Sequence, residues 1–221
     1  MTTNAVRPAP PSPSPTALYA AGLAGGSPLR ARLEDGRRLR LDVERWLGST
    51  DAADESVLDR AAGPVLDVGC GPGRLVVGAA ARGLHALGLD ISPDAIDLAR
   101  RRGARVIEAC IFADAPGAGA WETVLLLDGN IGIGGDAVAL LRQVRGLLSR
   151  GGRVLVEVEP AGVPCGPVRL RLEAGEERSG WFAWARVGAD GIVQLATSAG
   201  LTATETWEVE GRCFARLEVA A

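Results

Sequence analysis

The chain of 221 residues contains no lysine, and all 24 of its cationic side chains are arginine. That absence excludes Schiff-base chemistry on the protein and any lysine-linked pyridoxal phosphate. Histidine is nearly as scarce: His85 stands alone, so no His-rich metal site can be assembled. Cys70, Cys110, Cys165 and Cys213 contain no C-x-x-C pair, which argues against a zinc knuckle or a redox dithiol and for free thiols in a reducing compartment. No apolar run is long enough to span a bilayer, and the N-terminus has neither the basic segment nor the apolar stretch of a secretory signal. The net charge of −3 gives no overall positive field for nucleic acid. A cytoplasmic protein is expected, monomeric or homodimeric, with no nucleic acid, membrane or metal partner.

What is present is a chain 47% hydrophobic, enough for one domain with a substantial core. Pro8, Pro10, Pro11, Pro13 and Pro15 predict a disordered tail over 1–16, leaving 17–221 as the folded domain. Ser27-Pro28 is a helix-start signal. Leu29, Leu33, Leu39, Val43, Trp46 and Leu47 follow at near-helical spacing, predicting a helical cap over 17–62 divided at Gly36. Beyond it strands and helices alternate. Strands are predicted at 65–68, 86–89, 105–108, 123–127 and 153–158, with helices at 71–82, from Ser92-Pro93 to about 103, and at about 136–149. A last helix at 189–199 and strands at 204–210 and 212–219 complete the pattern. The fold class is α/β: a doubly wound, mostly parallel seven-stranded sheet, helices on both faces, ending in an antiparallel hairpin.

The segment Val65-Leu-Asp-Val-Gly-Cys-Gly-Pro-Gly-Arg-Leu75 carries the chemistry. A buried strand containing Asp67 runs into Gly69, Gly71 and Gly73 just before a helix, so a ligand can approach bare backbone and a helix N-terminus. Asp90 ends the next strand, 17 residues beyond Gly73, at the carboxyl edge where open sheets bind ligands. Its carboxylate can accept two ribose hydroxyls. A dinucleotide fingerprint is the nearest rival, yet Arg74 stands where its third glycine or alanine belongs.

At these residues the chain resembles the class I, Rossmann-like S-adenosylmethionine-dependent methyltransferases, over about residues 60 to 160. The resemblance implies S-adenosylmethionine as cofactor and S-adenosylhomocysteine as product. Asp67, Gly69, Cys70, Gly71 and Gly73 would lie on the cofactor, Asp90 would hold its ribose, and Ile91 would line the adenine. Many members have an acidic residue after the third strand, where this chain has Cys110 and Ile111, so adenine recognition there falls to backbone groups. Asp128-Gly-Asn-Ile-Gly-Ile-Gly-Gly-Asp136 resembles the motif bordering the transferable methyl. It makes Asp128 a cofactor contact and a weak catalytic candidate and Asn130 a substrate contact; Asp136 reads as a helix cap. Glu157 and Glu159 are further base candidates by strand-end position.

Residues 160–187 exceed a simple crossover and hold Trp181, Phe182 and Trp184 out of nine aromatics. They read either as a substrate lid, with Trp181 and Trp184 on the acceptor, or as hairpin packing. The implied activity is methyl transfer to a small molecule. The alternatives are a binding module that holds the cofactor without turnover, and a nicotinamide-dependent oxidoreductase. Aminopropyl transfer on the same scaffold also remains open.

Overall fold

The computed structural model describes residues 12–219. Helix α1 (Pro15–Leu23) opens it, with Ser14 at the N-cap accepting from the Ala17 N–H and Pro15 in the first turn. The proline-rich tail expected over 1–16 is therefore corrected at its end. Proline suits the first helical position because its missing N–H is one the helix leaves unbonded anyway. Residues 1–11 lie outside the described residues.

The helical cap is corrected as well. Strands β1 (Leu29–Leu33) and β2 (Arg38–Arg40) form an antiparallel hairpin, followed by the short helix α2 (Val43–Leu47) capped by Asp42. Leu29 and Leu33 fit a helical spacing, but with Ala31 between them the apolar residues alternate, which is the strand period. Gly36 takes φ +89° and turns the chain where the cap was expected only to divide. Helix α3 (Ala52–Leu58) carries a reciprocal Asp51/Asp54 capping box.

The predicted alternation then appears: β3 (Val65–Val68), α4 (Arg74–Ala81), β4 (Ala86–Asp90), α5 (Pro93–Arg101), β5 (Val106–Glu108), β6 (Trp121–Leu126), a 3-10 segment over Asn130–Gly135, α6 (Ala137–Leu147) and β7 (Leu148–Val158). Residues 160–187 form β8 (Gly166–Ala174), β9 (Glu177–Arg178) and β10 (Phe182–Arg186), and α7 (Ile192–Ser198), β11 (Leu201–Val209) and β12 (Arg212–Val219) close the chain.

The main sheet runs β11-β12-β7-β6-β3-β4-β5, parallel from β7 through β5 and antiparallel at β12 and β11. Side-chain alternation splits its core in two. Leu66, Val68, Leu126 and Val156 face α6 and α7, while Val65, Leu125, Leu155 and Phe214 face α3 and α4. A second sheet, β10-β8-β1-β2 with β9 beside β8, was not foreseen. It packs Leu29, Ala31, Leu33, Leu170 and Leu172 against Leu18 of α1 and so stands over the carboxyl edge of the main sheet. Among the described residues no helix is long and apolar enough to cross a membrane.

Candidate functional site

The strand-to-helix turn after β3 is held from beneath. Gly69 and Cys70 donate their N–H groups to the Leu89 carbonyl at 2.8 and 3.0 Å, and the Gly71 N–H donates to Asp90 Oδ2 at 2.9 Å. Ser92 N–H bonds the other Asp90 oxygen at 2.8 Å. Bare backbone is needed here: a Cβ on Gly69 would lie 2.7 Å from Asn130 Nδ2, and one on Gly71 2.8 Å from the Tyr19 hydroxyl, both at positive φ. The turn thus forms a cradle between α1, the loop after β6 and β4.

A cavity of about 750 Å³ opens over this cradle. Asp67, Gly69, Cys70, Gly71, Asp90, Ile91, Cys110, Ile111, Asp128, Asn130 and Trp184 all line it; Gly73 and Trp181 do not. Gly73 instead lets α4 close on α5, since a Cβ there would meet Ala104 and Ala99 at 2.8 and 2.9 Å. Trp181 lies under the guanidinium of Arg171, 4.9 Å from it, so its place as an acceptor contact is corrected to hairpin packing. Ile91, 59% exposed, and Phe112, 44% exposed, leave apolar surface bare at the rim near Asp90. Phe112 was missed in sequence.

Asn130 lines the cavity with one side of its amide turned to the glycine turn. Its Nδ2 donates to the carbonyls of Val68 and Gly69, both at 2.9 Å, so the amide nitrogen braces the glycine turn. Asp67 is buried, and its Oδ2 has no partner among the described residues. Burial, with the Asp128 and Asp90 carboxylates nearby, pushes its pKa up to about 8. Burial likewise raises Asp90, against the hydrogen bonds from Ser92 and Gly71. The Tyr19 hydroxyl, facing the same carboxylates, is held well above the ordinary phenol value, chiefly by burial.

Asp128 has φ +55°, the left-handed region that a short polar side chain tolerates. Its carboxylate accepts from Arg45 at 2.8 Å and Arg74 at 2.7 Å, with Arg212 at 3.4 Å. Arg74 also meets the fully buried Asp54, and Arg212 bonds Asp54 at 2.8 Å and both oxygens of Glu157 at 2.9 and 2.8 Å. Burial works to raise Glu157, but the Arg212 bonds prevail and hold it below its ordinary value. With both oxygens engaged by guanidiniums, Asp128 is poorly placed to take a proton, and Glu159 is engaged in the same way by Arg186. The base roles weighed for all three are thus not supported by this geometry. His85 is exposed at the far end of β4. Nothing in the sequence linked Arg45, Arg74 and Arg212 to Asp128, because those three pairings span 54 to 84 positions.

The far wall comes from the second sheet: Ala31, Leu39, Leu170, Leu172, Phe182 and Trp184, the two aromatic rings edge to face at 6.1 Å. Among the described residues no group of three or more His, Cys, Asp or Glu could hold a metal ion.

Residues 65–152 match the family profile described as methyltransferase domain. No curated protein matches the sequence. Among solved structures, a SAM-dependent methyltransferase from Bacteroides fragilis, in complex with S-adenosyl-L-homocysteine, is similar at 22% identity and TM-score 0.77, over 96% of this chain and 98% of that one. A 1,6-didemethyltoxoflavin-N1-methyltransferase from Burkholderia thailandensis is similar at 17% identity and TM-score 0.61, over 100% and 99%. An amino pentose methyltransferase from Micromonospora echinaspora follows at 19% and 0.57, over 79% and 94%. At these identities the likenesses establish the fold.

Proposed function

We propose, from the premise that this chain belongs to the class I S-adenosylmethionine-dependent methyltransferases, that it moves a methyl group from that donor to a small apolar acceptor. The observation that carries the reading is the bare glycine cradle braced against Asp90. Asp90 has about four lone-pair sites and spends two on the Gly71 and Ser92 N–H groups, which leaves two for a ribose diol. Ile91 and Phe112 supply apolar surface for the adenine, and the unpartnered Asp67 oxygen suits the cationic methionine end. When bound, the donor supplies a sulfonium methyl whose in-line displacement needs no acid for the leaving group, so positioning alone can carry the rate.

The acceptor reading rests on the wall of Leu170, Leu172, Phe182 and Trp184 and on a cavity within the usual size for small-molecule sites. Residues 17–62 close the cavity over the donor through Tyr19 and Trp46, whose rings meet at 5.9 Å. Among the described residues the wall of Leu170, Leu172, Phe182 and Trp184 carries no basic group, so the acceptor brings its own lone pair and any proton it loses goes to solvent.

Calorimetric titration with S-adenosylhomocysteine and, separately, NAD tests the reading. Micromolar binding of the first, weakened about tenfold or more by Asp90→Asn, and none of the second is expected. Failure of S-adenosylhomocysteine to bind overturns it, and NAD binding redirects the site to redox chemistry. Release of S-adenosylhomocysteine from the donor with a panel of apolar amines and phenols tests turnover.

A further inference from the structure

The outward face of the second sheet is built from arginine. Strand register places Arg30 opposite Arg40 and Arg32 opposite Arg38 across β1 and β2, then Arg32 opposite Arg171 and Arg30 opposite Glu173 across β1 and β8. Arg169 follows by alternation, and Arg178 of β9 lies opposite Glu173. Seven arginines thus share one face with a single glutamate, on a chain whose net charge is −3, so the surface elsewhere is distinctly acidic. The intervening Leu29, Ala31, Leu33, Leu39, Leu170 and Leu172 point the other way, into the core. Glu173 bonds Arg171 and Arg32 at 2.9 and 3.1 Å, and Arg169 pairs with Glu34 in the turn at 3.4 Å. Arg30, Arg38, Arg40 and Arg178 have no carboxylate partner among the described residues.

Like charges directly opposed across strands destabilise a sheet, and here three such arginine pairs stand on one exposed face. Folding gains nothing from them; an anion laid over them turns the repulsion into attraction. We infer that this face docks an acidic helix of a partner protein. The spacing supports a helix: carboxylates at i and i+4 stand about 5–6 Å apart, close to the ~4.8 Å between strands. Guanidiniums grip carboxylates through a two-pronged fork. A lipid surface fits less well, because the large exposed apolar residues, Leu47, Ile91, Phe112 and Val193, all lie off this face and Trp181 is under Arg171. A nucleic acid strand is disfavoured by the net charge of −3. Arg40 also lines the cavity, so the docked helix sits beside its mouth. The contact is held by exposed charges, which makes it salt-sensitive.

Fluorescence polarisation of a labelled helical peptide with glutamates along one side, titrated with the full chain, tests the inference. Saturable binding is expected that weakens on raising salt and falls about tenfold or more in an Arg30→Glu/Arg38→Glu variant. In that variant S-adenosylhomocysteine binding should be unchanged and the thermal midpoint little changed, because the pairs with Arg40 and Arg32 become attractive while the pair of position 30 with Glu173 becomes repulsive. An Arg30→Gln/Arg38→Gln variant should fall in between. Absence of peptide binding, binding indifferent to the substitutions, or tighter binding of an oligothymidylate or of phosphatidylglycerol vesicles would overturn it.

Discussion

Asp67 concentrates the tension of the cradle in one side chain. It is buried between Asp90 and Asp128, lacks a partner for one oxygen, and titrates near 8. Its proton is held more tightly in the folded chain than in the unfolded one, so the stability it contributes is full below about pH 4 and is lost as pH rises toward 8. Asp67→Asn should therefore raise the thermal midpoint at pH 9 and change it much less at pH 5, read by calorimetry. A cationic ligand favours the ionised form, so donor binding at pH 7 should release a proton from wild type and none from Asp67→Asn. Titration in buffers of different ionisation enthalpy measures this. If release persists in the variant, another group carries it. Asn130 acts at the same scale: Asn130→Ala removes both bonds that tie the turn to the loop after β6. At about 1 kcal/mol each, their loss should weaken S-adenosylhomocysteine binding roughly tenfold or more.

At the scale of elements, the central parallel strands β3, β4 and β6 were legible because each is a short, largely apolar and buried run. Val65–Val68 and Asp90 fell where the pattern put them. The second sheet was not legible, because β1 finds its partner β8 about 140 residues away and no local period records such a pairing. Trp181 and Trp184 show the same limit, since two neighbouring aromatics take opposite faces of one strand region and only the register separates cavity from surface. The junction between the two sheets is tight at Gly132, where a Cβ would overlap the Trp184 indole nitrogen and the Ala185 carbonyl. Backbone cannot yield there as a flexible side chain can. Gly132→Ala should destabilise the fold by about 1–3 kcal/mol and open the acceptor wall. Denaturant unfolding checks the first effect, and increased Trp184 exposure to a fluorescence quencher checks the second.

Across the whole molecule, the ion network ties together parts that hydrogen-bonded sheets leave separate. Arg45 comes from α2, Asp51 and Asp54 from the start of α3, Arg74 from α4, Asp128 from the loop after β6, Glu157 from β7 and Arg212 from β12. Exposed pairs such as Arg100–Asp97 contribute little, because water and salt screen them. In the network Arg74, Asp54 and Arg212 are buried or nearly so, and each charge is kept only because an opposite one is bonded to it. Arg212→Ala leaves Glu157 and part of the Asp51/Asp54 pair without their cation, and breaking a buried pair from one side costs about 3–5 kcal/mol. Arg212→Met with Glu157→Gln removes both ends of one pair and should recover much of that loss. The two variants separate the value of the charge from that of the packed volume. Since the same network fixes Asp128 beside the glycine turn, Arg212→Ala should also weaken S-adenosylhomocysteine binding under conditions where it is still folded. Urea unfolding and calorimetry on one set of samples read both effects, and an Arg212→Ala protein as stable as wild type would mean that the cluster is solvated and does not tie these elements together.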